Sequence, residues 1–148
     1  MTKKPLPPTC FLAALVAQAV LHLLLPGCRV IPFPWSLLGA VPLAMGLAVE
    51  VIADRAFKRH STTVKPFEKS SALVTDGVFA ISRHPMYLGF VLVLLGVAVL
   101  MGSWTPYVVV VVFAVLTDVL FIRVEERMLE KTFGEAWREY KKEVRRWA

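Results

Sequence analysis

Four long apolar runs dominate the chain, with polar residues gathered between and after them. Residues 9–26 are almost wholly apolar and end at Pro26-Gly27. A second run, 35–54, is entered through Pro34-Trp35 and carries Pro42 inside it, where a kink is expected. The third, 85–102, closes at Gly102-Ser103. The fourth, 106–124, opens with Thr105-Pro106, a cap followed by a first-turn proline. Each run has about 18–20 residues, enough for a helix to cross a hydrocarbon core about 30 Å thick. The fourth is rich in valine, yet a single span in lipid satisfies its backbone only as a helix. The pattern predicts an all-α integral membrane protein with four transmembrane helices, in one domain covering 1–148.

The fourth helix is expected to extend into the cytoplasm. Helical character continues through Val124-Glu125-Glu126-Arg127-Met128-Leu129 to a C-cap at Gly134. Around and beyond it, Phe133, Trp137, Tyr140, Val144 and Trp147 recur at steps of four and three, with Lys and Arg filling much of the other face. A short C-terminal amphipathic helix over 134–147 follows, lying in the interface plane or folded back over the loop. The segment 56–84 is the only long polar connection, and connections of that length usually carry function.

Composition supports the membrane reading. The chain has 148 residues, 57% of them hydrophobic, and a mean hydropathy of +0.63. The formal net charge is +6. If the odd-numbered spans run outward, only Arg29 of the 17 Lys and Arg falls on the outer side. A multi-pass protein with both termini cytoplasmic is expected. The basic residues flank apolar spans, so nucleic acid is not the partner they imply. Cys10 and Cys28 sit near opposite ends of the first run, about 27 Å apart if it is helical, which excludes a disulfide between them. No Cys/His cluster has zinc spacing, so no metal is expected. Leu25-Pro26-Gly27-Cys28 faintly resembles a lipoprotein cleavage site, but Pro26 fits it poorly and an uncleaved helix is expected.

Candidate chemistry lies at the mouth of the third span. Arg83, His84, Pro85 and Tyr87 fall within five residues, and Pro85 suits the first position of a helix. About 30 Å of fourth helix separates Pro106 from Glu125, so Glu125 and Glu126 emerge at the same depth. In a hairpin of the third and fourth helices the two clusters face each other. Paired acids opposite an Arg-His-Pro-x-Tyr cluster suit a zwitterion: a carboxylate holds an ammonium, and a guanidinium or imidazolium holds a carboxylate. The methionine end of S-adenosylmethionine is one such zwitterion, and the rings of Phe79 and Tyr87 suit adenine or the cationic sulfur. Blander roles compete. Arg83 suits a positive-inside anchor, Tyr87 an interfacial belt, and Trp137, Tyr140 and Trp147 interface anchors. Inside the runs, His22, Glu50 and Asp118 need partners or a role. His22 suits a packed, hydrogen-bonded residue. Glu50 and Asp54, four apart, are placed to pair with Arg55 or another helix. Asp118 and Glu125 are seven apart and should share a helix face.

The ordered set resembles the isoprenylcysteine carboxyl methyltransferase family, which is related to phospholipid methyltransferases. The segment Leu73-Val74-Thr75-Asp76-Gly77-Val78-Phe79-Ala80-Ile81-Ser82-Arg83-His84-Pro85-Met86-Tyr87-Leu88-Gly89 carries it, with Glu125-Glu126-Arg127-Met128-Leu129 and Phe133-Gly134-Glu135-Ala136-Trp137-Arg138-Glu139-Tyr140. The resemblance implies an integral-membrane enzyme that transfers methyl from S-adenosylmethionine, leaving S-adenosylhomocysteine. Its acceptor would be a lipophilic small molecule or lipidated substrate from the bilayer, with an isoprenylcysteine-like carboxylate or a lipid amine. By position, Ser71, Ala72, Leu73, Val74, Phe79, His84, Pro85, Met86, Tyr87 and Glu125 would hold the cofactor. Arg83, Arg123 and Glu126 would serve catalysis, Glu126 as proton acceptor for an amine or thiol. Two positions depart from the family. Ser71 stands where some members carry histidine. Phe121 stands where the carboxyl-methylating branch has a substrate arginine, the nearest arginine here being Arg123. Two other readings compete: an NADPH-dependent membrane reductase of the sterol-reductase type, and a non-catalytic four-helix membrane partner protein.

Overall fold

The computed structural model describes residues 6–62 and 71–148. The predicted loop 56–84 is thus described at its two ends, and its centre lies outside the described residues. Six α-helices form among them: α1 (Pro7–Leu24), α2 (Ala40–Arg59), α3 (Pro85–Met101), α4 (Thr105–Thr117), α5 (Arg123–Phe133) and α6 (Glu135–Glu143). The described residues contain no β-strand. Proline opens α1, α3 and α4, where its missing N–H costs no hydrogen bond. Pro42 lies inside the apolar stretch Trp35–Arg59 as expected, in the first turn of α2 and directly after a 3₁₀ turn over Trp35–Gly39. A proline there displaces no established i to i−4 bond.

Three helical stretches among the described residues are long and apolar enough to cross a membrane: Pro7–Leu24, Trp35–Arg59 and Thr105–Phe133. The fourth apolar helix, α3, has 17 residues. Much of the outward surface is large and apolar, including Leu12, Val16, Leu47, Val51, Val111 and Val115. Such a surface suits lipid rather than water.

α3 is the centre of the packing, against α2 along its length and against α4, while α1 lies chiefly on α4. Ala14, Leu94, Ala98, Val110 and Phe113 form the core between α1, α3 and α4. Polar clasps fix α1: Gln18 donates from Nε2 to the carbonyls of Leu94 (2.9 Å) and Pro106 (3.3 Å). His22 Nδ1 lies 2.7 Å from Ser103 Oγ, the packed, hydrogen-bonded role expected for it.

The α2–α3 contact is made by four glycines at seven-residue spacing, Gly39 and Gly46 on one chain segment, Gly89 and Gly96 on the other. A Cβ added at Gly39 would meet the Gly96 carbonyl oxygen at 2.5 Å, and one at Gly46 would meet that of Gly89 at 2.6 Å. Small residues let membrane helices approach backbone to backbone. The register runs antiparallel, so the end of α2 lies beside the start of α3. Glu50 Oε1 occupies the room left by Gly89, where it is buried without a hydrogen bond among the described residues. Asp54 pairs with Lys58 at 2.6 Å rather than with Arg55.

The last long helix runs from Thr105 to Phe133 with one irregular turn. Residues Asp118–Ile122 form a π-helical segment between α4 and α5. At Gly134, φ is +54°, and the chain turns there into α6 as the expected C-cap requires. The helical part beyond it ends at Glu143, shorter than the predicted 134–147.

Gly96→Val tests the α2–α3 contact. Its Cβ would already lie 2.6 Å from Gly39 O and Leu43 N. Overpacking of this kind costs about 1–3 kcal/mol. Thermal unfolding in detergent should show a lowered midpoint, and an unchanged midpoint would contradict the close approach.

Candidate functional site

The site forms where the start of α3, the start of α5 and the chain after α6 converge. Ser82 to Pro85 are all buried. His84 is the N-cap of α3 and Pro85 its first residue. The His84 backbone N–H donates to Ser82 Oγ at 3.2 Å, so the turn is capped by serine. Across from it stand the two acids of α5. Arg83 Nη2 lies 3.0 Å from Glu126 Oε1. His84 Nε2 lies 3.4 Å from the same oxygen, and His84 Nδ1 lies 3.7 Å from Glu125 Oε2. The two clusters that share a depth in the sequence thus meet in space.

The π segment decides how the acids divide. A turn closed from i to i+5 takes up one residue more than an α turn. Asp118 therefore shares a face with Glu126, eight residues on, and not with Glu125 as regular helical spacing implies. Arg146 spans that face. It donates from Nε and Nη2 to the two carboxylate oxygens of Glu126 (3.2 and 2.7 Å) and from Nη1 to Asp118 Oδ1 (3.0 Å). Glu125 is turned the other way, toward His84 and the Tyr87 hydroxyl. Tyr87 is buried with Phe121 and Ile122, its ring stacked on Phe121 with centroids 6.3 Å apart.

No motif in the sequence points to Arg146. It reaches the site because the chain after α6 doubles back over the start of α3. Arg83 N–H donates to the Arg145 carbonyl at 3.0 Å. Ser82 Oγ donates to the Arg146 carbonyl at 3.2 Å. Trp147 packs against the Tyr87–Phe121–Ile122 cluster. α6 itself is anchored by Trp137 and Tyr140, both buried in the protein and not at a lipid interface. The Tyr140 hydroxyl donates to the Phe79 carbonyl at 2.6 Å. The Trp137 ring lies 5.7 Å from the Arg83 guanidinium carbon, a cation–π contact. The helix thus folds back over the loop, the second of the two placements its pattern allowed.

Charge follows this geometry. Burial works against ionisation of Glu126, but His84, Arg146 and Arg83 together outweigh it and hold the carboxyl down at about 2. Burial pushes Glu125 above the ordinary carboxyl range, opposed in part by His84 and Tyr87, and the neighbouring Glu126 adds to the rise. Burial raises the Tyr140 phenol to about 12, opposed in part by Arg83. Three buried polar atoms at the cluster make no hydrogen bond among the described residues: Arg83 Nε, His84 Nε2 and Glu125 Oε2.

The remaining candidates are spread around this centre. Phe79 and Val74 pack with Ala53, and Met86 lies against them. Leu73 lies under Trp137, Tyr140 and Val144. Ala72 is half-buried, and Ser71 is tied to the end of α2 through Ser61 and Thr62. Arg123 is exposed and pairs with Asp118 at 2.9 Å. Glu126, expected to be a proton acceptor, faces Arg83, His84 and Arg146. An apolar recess of about 330 Å³, lined by Pro34, Trp35, Leu37, Leu38 and Val41, lies at the other end of α2.

Residues 35–136 match the family model of phospholipid methyltransferases. The chain belongs to that family. Among its curated relatives, a Schizosaccharomyces pombe protein-S-isoprenylcysteine O-methyltransferase is 37% identical over 79 residues, covering 51% of this chain and 32% of the relative. A Saccharomyces cerevisiae phosphatidylethanolamine N-methyltransferase is 33% identical over 115 residues, 71% of this chain and 13% of the relative. An uncharacterized Haemophilus influenzae protein is 37% identical over 62 residues, 42% of this chain and 98% of its own length. The chain thus spans about a third or less of the two named enzymes. No solved structure matches.

The lowered Glu126 pKa has a definite sign. A carboxyl more acidic when folded stabilises the fold above its unfolded pKa, and that contribution is lost as pH falls through the folded value. Stability should therefore decline as pH drops from about 4.5 toward about 2. Thermal midpoints against pH should show this acid limb in the unaltered protein and a shallower one in Glu126→Gln. Identical limbs would contradict the ion cluster.

Proposed function

We propose that this protein transfers a methyl group from S-adenosylmethionine to a lipophilic acceptor in the membrane. One observation carries the proposal: Glu125 Oε2 and Arg83 Nε, a buried acceptor and a buried donor without hydrogen bonds among the described residues, flank His84 at one site. An ammonium suits the first and a carboxylate the second, and the cofactor's methionine end supplies both. The residue set therefore fits the group. Glu125 and His84 would hold the ammonium and the carboxylate, with Arg83 supporting the latter. Tyr87 and Phe79 bring aromatic surface, and Leu73 and Val74 contribute through their backbone. When bound, the cofactor supplies a methyl on a cationic sulfur. The chain's own task is positioning and the exclusion of water.

A lipid amine is the better-supported acceptor. Arg123 is paired with Asp118 and Arg146 with Asp118 and Glu126, while Arg83 is assigned to the cofactor, which leaves no arginine for an acceptor carboxylate. Phe121 is buried against Tyr87, where the carboxyl-methylating pattern has an arginine. The family match and the phosphatidylethanolamine N-methyltransferase relative point the same way. An isoprenylcysteine-like carboxylate is the second reading, favoured by the Schizosaccharomyces pombe relative. We assign Glu126 to holding Arg83 and His84, because a carboxyl with a pKa near 2 is a poor proton acceptor.

Four membrane spans are part of this proposal, with both termini and the site on the cytoplasmic side. The positive-inside distribution supports it. A 17-residue α3 reaches about 26 Å, short of a core about 30 Å thick by an amount that local thinning accommodates. α6 and the segment behind it then lie at the cytoplasmic boundary over the loop.

Removing the charge of Glu125 should cost a charge-assisted hydrogen bond of about 1.5–3 kcal/mol. Glu125→Gln should thus bind S-adenosylhomocysteine at least about tenfold more weakly than the unaltered protein by calorimetry in detergent. Binding of equal strength would remove Glu125 from the site. Methyl-labelled S-adenosylmethionine offered with phosphatidylethanolamine vesicles or with a farnesylcysteine analogue would separate the two acceptor classes.

A further inference from the structure

We propose that Arg146 is a positioning residue for the methyl-transfer site: by locking Glu126 to Asp118, it leaves Glu125 as the carboxylate available to a cationic ligand. This rests on the proposed cofactor site and adds a residue that neither the sequence motifs nor the family match covers.

Three features of the geometry support it. First, Arg146 commits its three donor nitrogens to two carboxylates, in a fork that satisfies both oxygens of Glu126. Lysine, a single ammonium, has no such fork. Second, the fork only works because the π segment brings Asp118 and Glu126 to one face. Third, the backbone around Arg146 is itself pinned to the residues it would position: Ser82 to the Arg146 carbonyl, and Arg83 to the Arg145 carbonyl. Arg146 is thus rigidly placed at both backbone and side chain.

The charge balance explains what this achieves. Glu126 faces Arg83 and His84 from the start of α3 and Arg146 from the segment after α6, with Glu125 beside it on α5. Asp118 faces Arg146 and Arg123. Without Arg146, Glu126 would draw more heavily on Arg83 and His84, and Asp118 would lose one of its two cations. Arg83 and His84, which already lie 3.0 and 3.4 Å from Glu126, would then be drawn further onto the protein's own acid and away from a ligand carboxylate. With Arg146 in place, Arg83 Nε and His84 Nε2 stay without hydrogen bonds among the described residues.

The test compares Arg146→Gln and Arg146→Lys with the unaltered protein in detergent, reading S-adenosylhomocysteine affinity against pH. Arg146→Gln should bind at least about tenfold more weakly. The deficit should narrow as pH falls, since Glu126, having lost a cation, protonates sooner and then releases Arg83 and His84. A purely structural role would lower the unfolding midpoint and leave the deficit the same at every pH. Arg146→Lys keeps the charge and guards against misfolding of the glutamine variant. It should fold and still bind about tenfold more weakly, for want of the fork. Wild-type affinity and pH dependence in the lysine variant, or tighter binding in either variant, would overturn the assignment of Arg146 while leaving the cofactor site intact. No binding by the unaltered protein would overturn both.

Discussion

Two adjacent carboxylates at the end of an apolar helix must face different surroundings, and the phase of that helix decides which faces what. In a regular α-helix from Thr105 onward, Asp118 would stack with Glu125. The π turn over Asp118–Ile122 shifts the register by one residue. Glu126 then joins Asp118 under Arg146, and Glu125 turns toward His84 and Tyr87. The same turn carries Phe121 onto the face of Tyr87. Everything else at the site follows from that rotation: a saturated acid that organises the arginines, and a neighbouring acid with an oxygen still to be satisfied. Irregular turns of this kind are often found where function needs a side chain re-aimed.

α2 and α3 supply the frame. Their glycines allow backbone contact, which brings the end of α2 beside the start of α3 and lets Ala53 and Phe57 pack beneath Val74 and Phe79. α6 closes the frame from the other side through Tyr140 and Trp137. Arg83 is thus held by an ion pair, an aromatic face and a backbone hydrogen bond together. Placing a guanidinium with that much support is what a preorganised anion site requires.

Much of this was legible in the sequence. The apolar runs, the proline starts and the glycine at 134 locate the helices, because each follows from local chemistry. The meeting of Arg83 and His84 with Glu125 and Glu126 follows from helix rise alone. The division between the two acids was not legible, since helical periodicity assumes an unbroken 3.6-residue turn. Arg146 escaped because its partner is twenty residues away and its placement depends on how α6 folds back. The burial of Trp137 and Tyr140 was read as interfacial because an aromatic stripe looks the same against lipid as against protein. The α2–α3 contact did leave a signal, glycines seven apart in both chain segments, that a search for polar motifs passes over. Phe121 cuts the other way: read from the sequence as a departure from the carboxyl-methylating pattern, it proves to be a packed partner of Tyr87.

The central claim is that the cluster at the mouth of α3 recognises the zwitterionic end of an S-adenosyl cofactor. Calorimetric titration of the unaltered protein in detergent with S-adenosylhomocysteine and, separately, with NADPH tests it most directly. Saturable binding of S-adenosylhomocysteine with no heat from NADPH is the expected result. Binding of NADPH in its place, or of neither, would contradict the account.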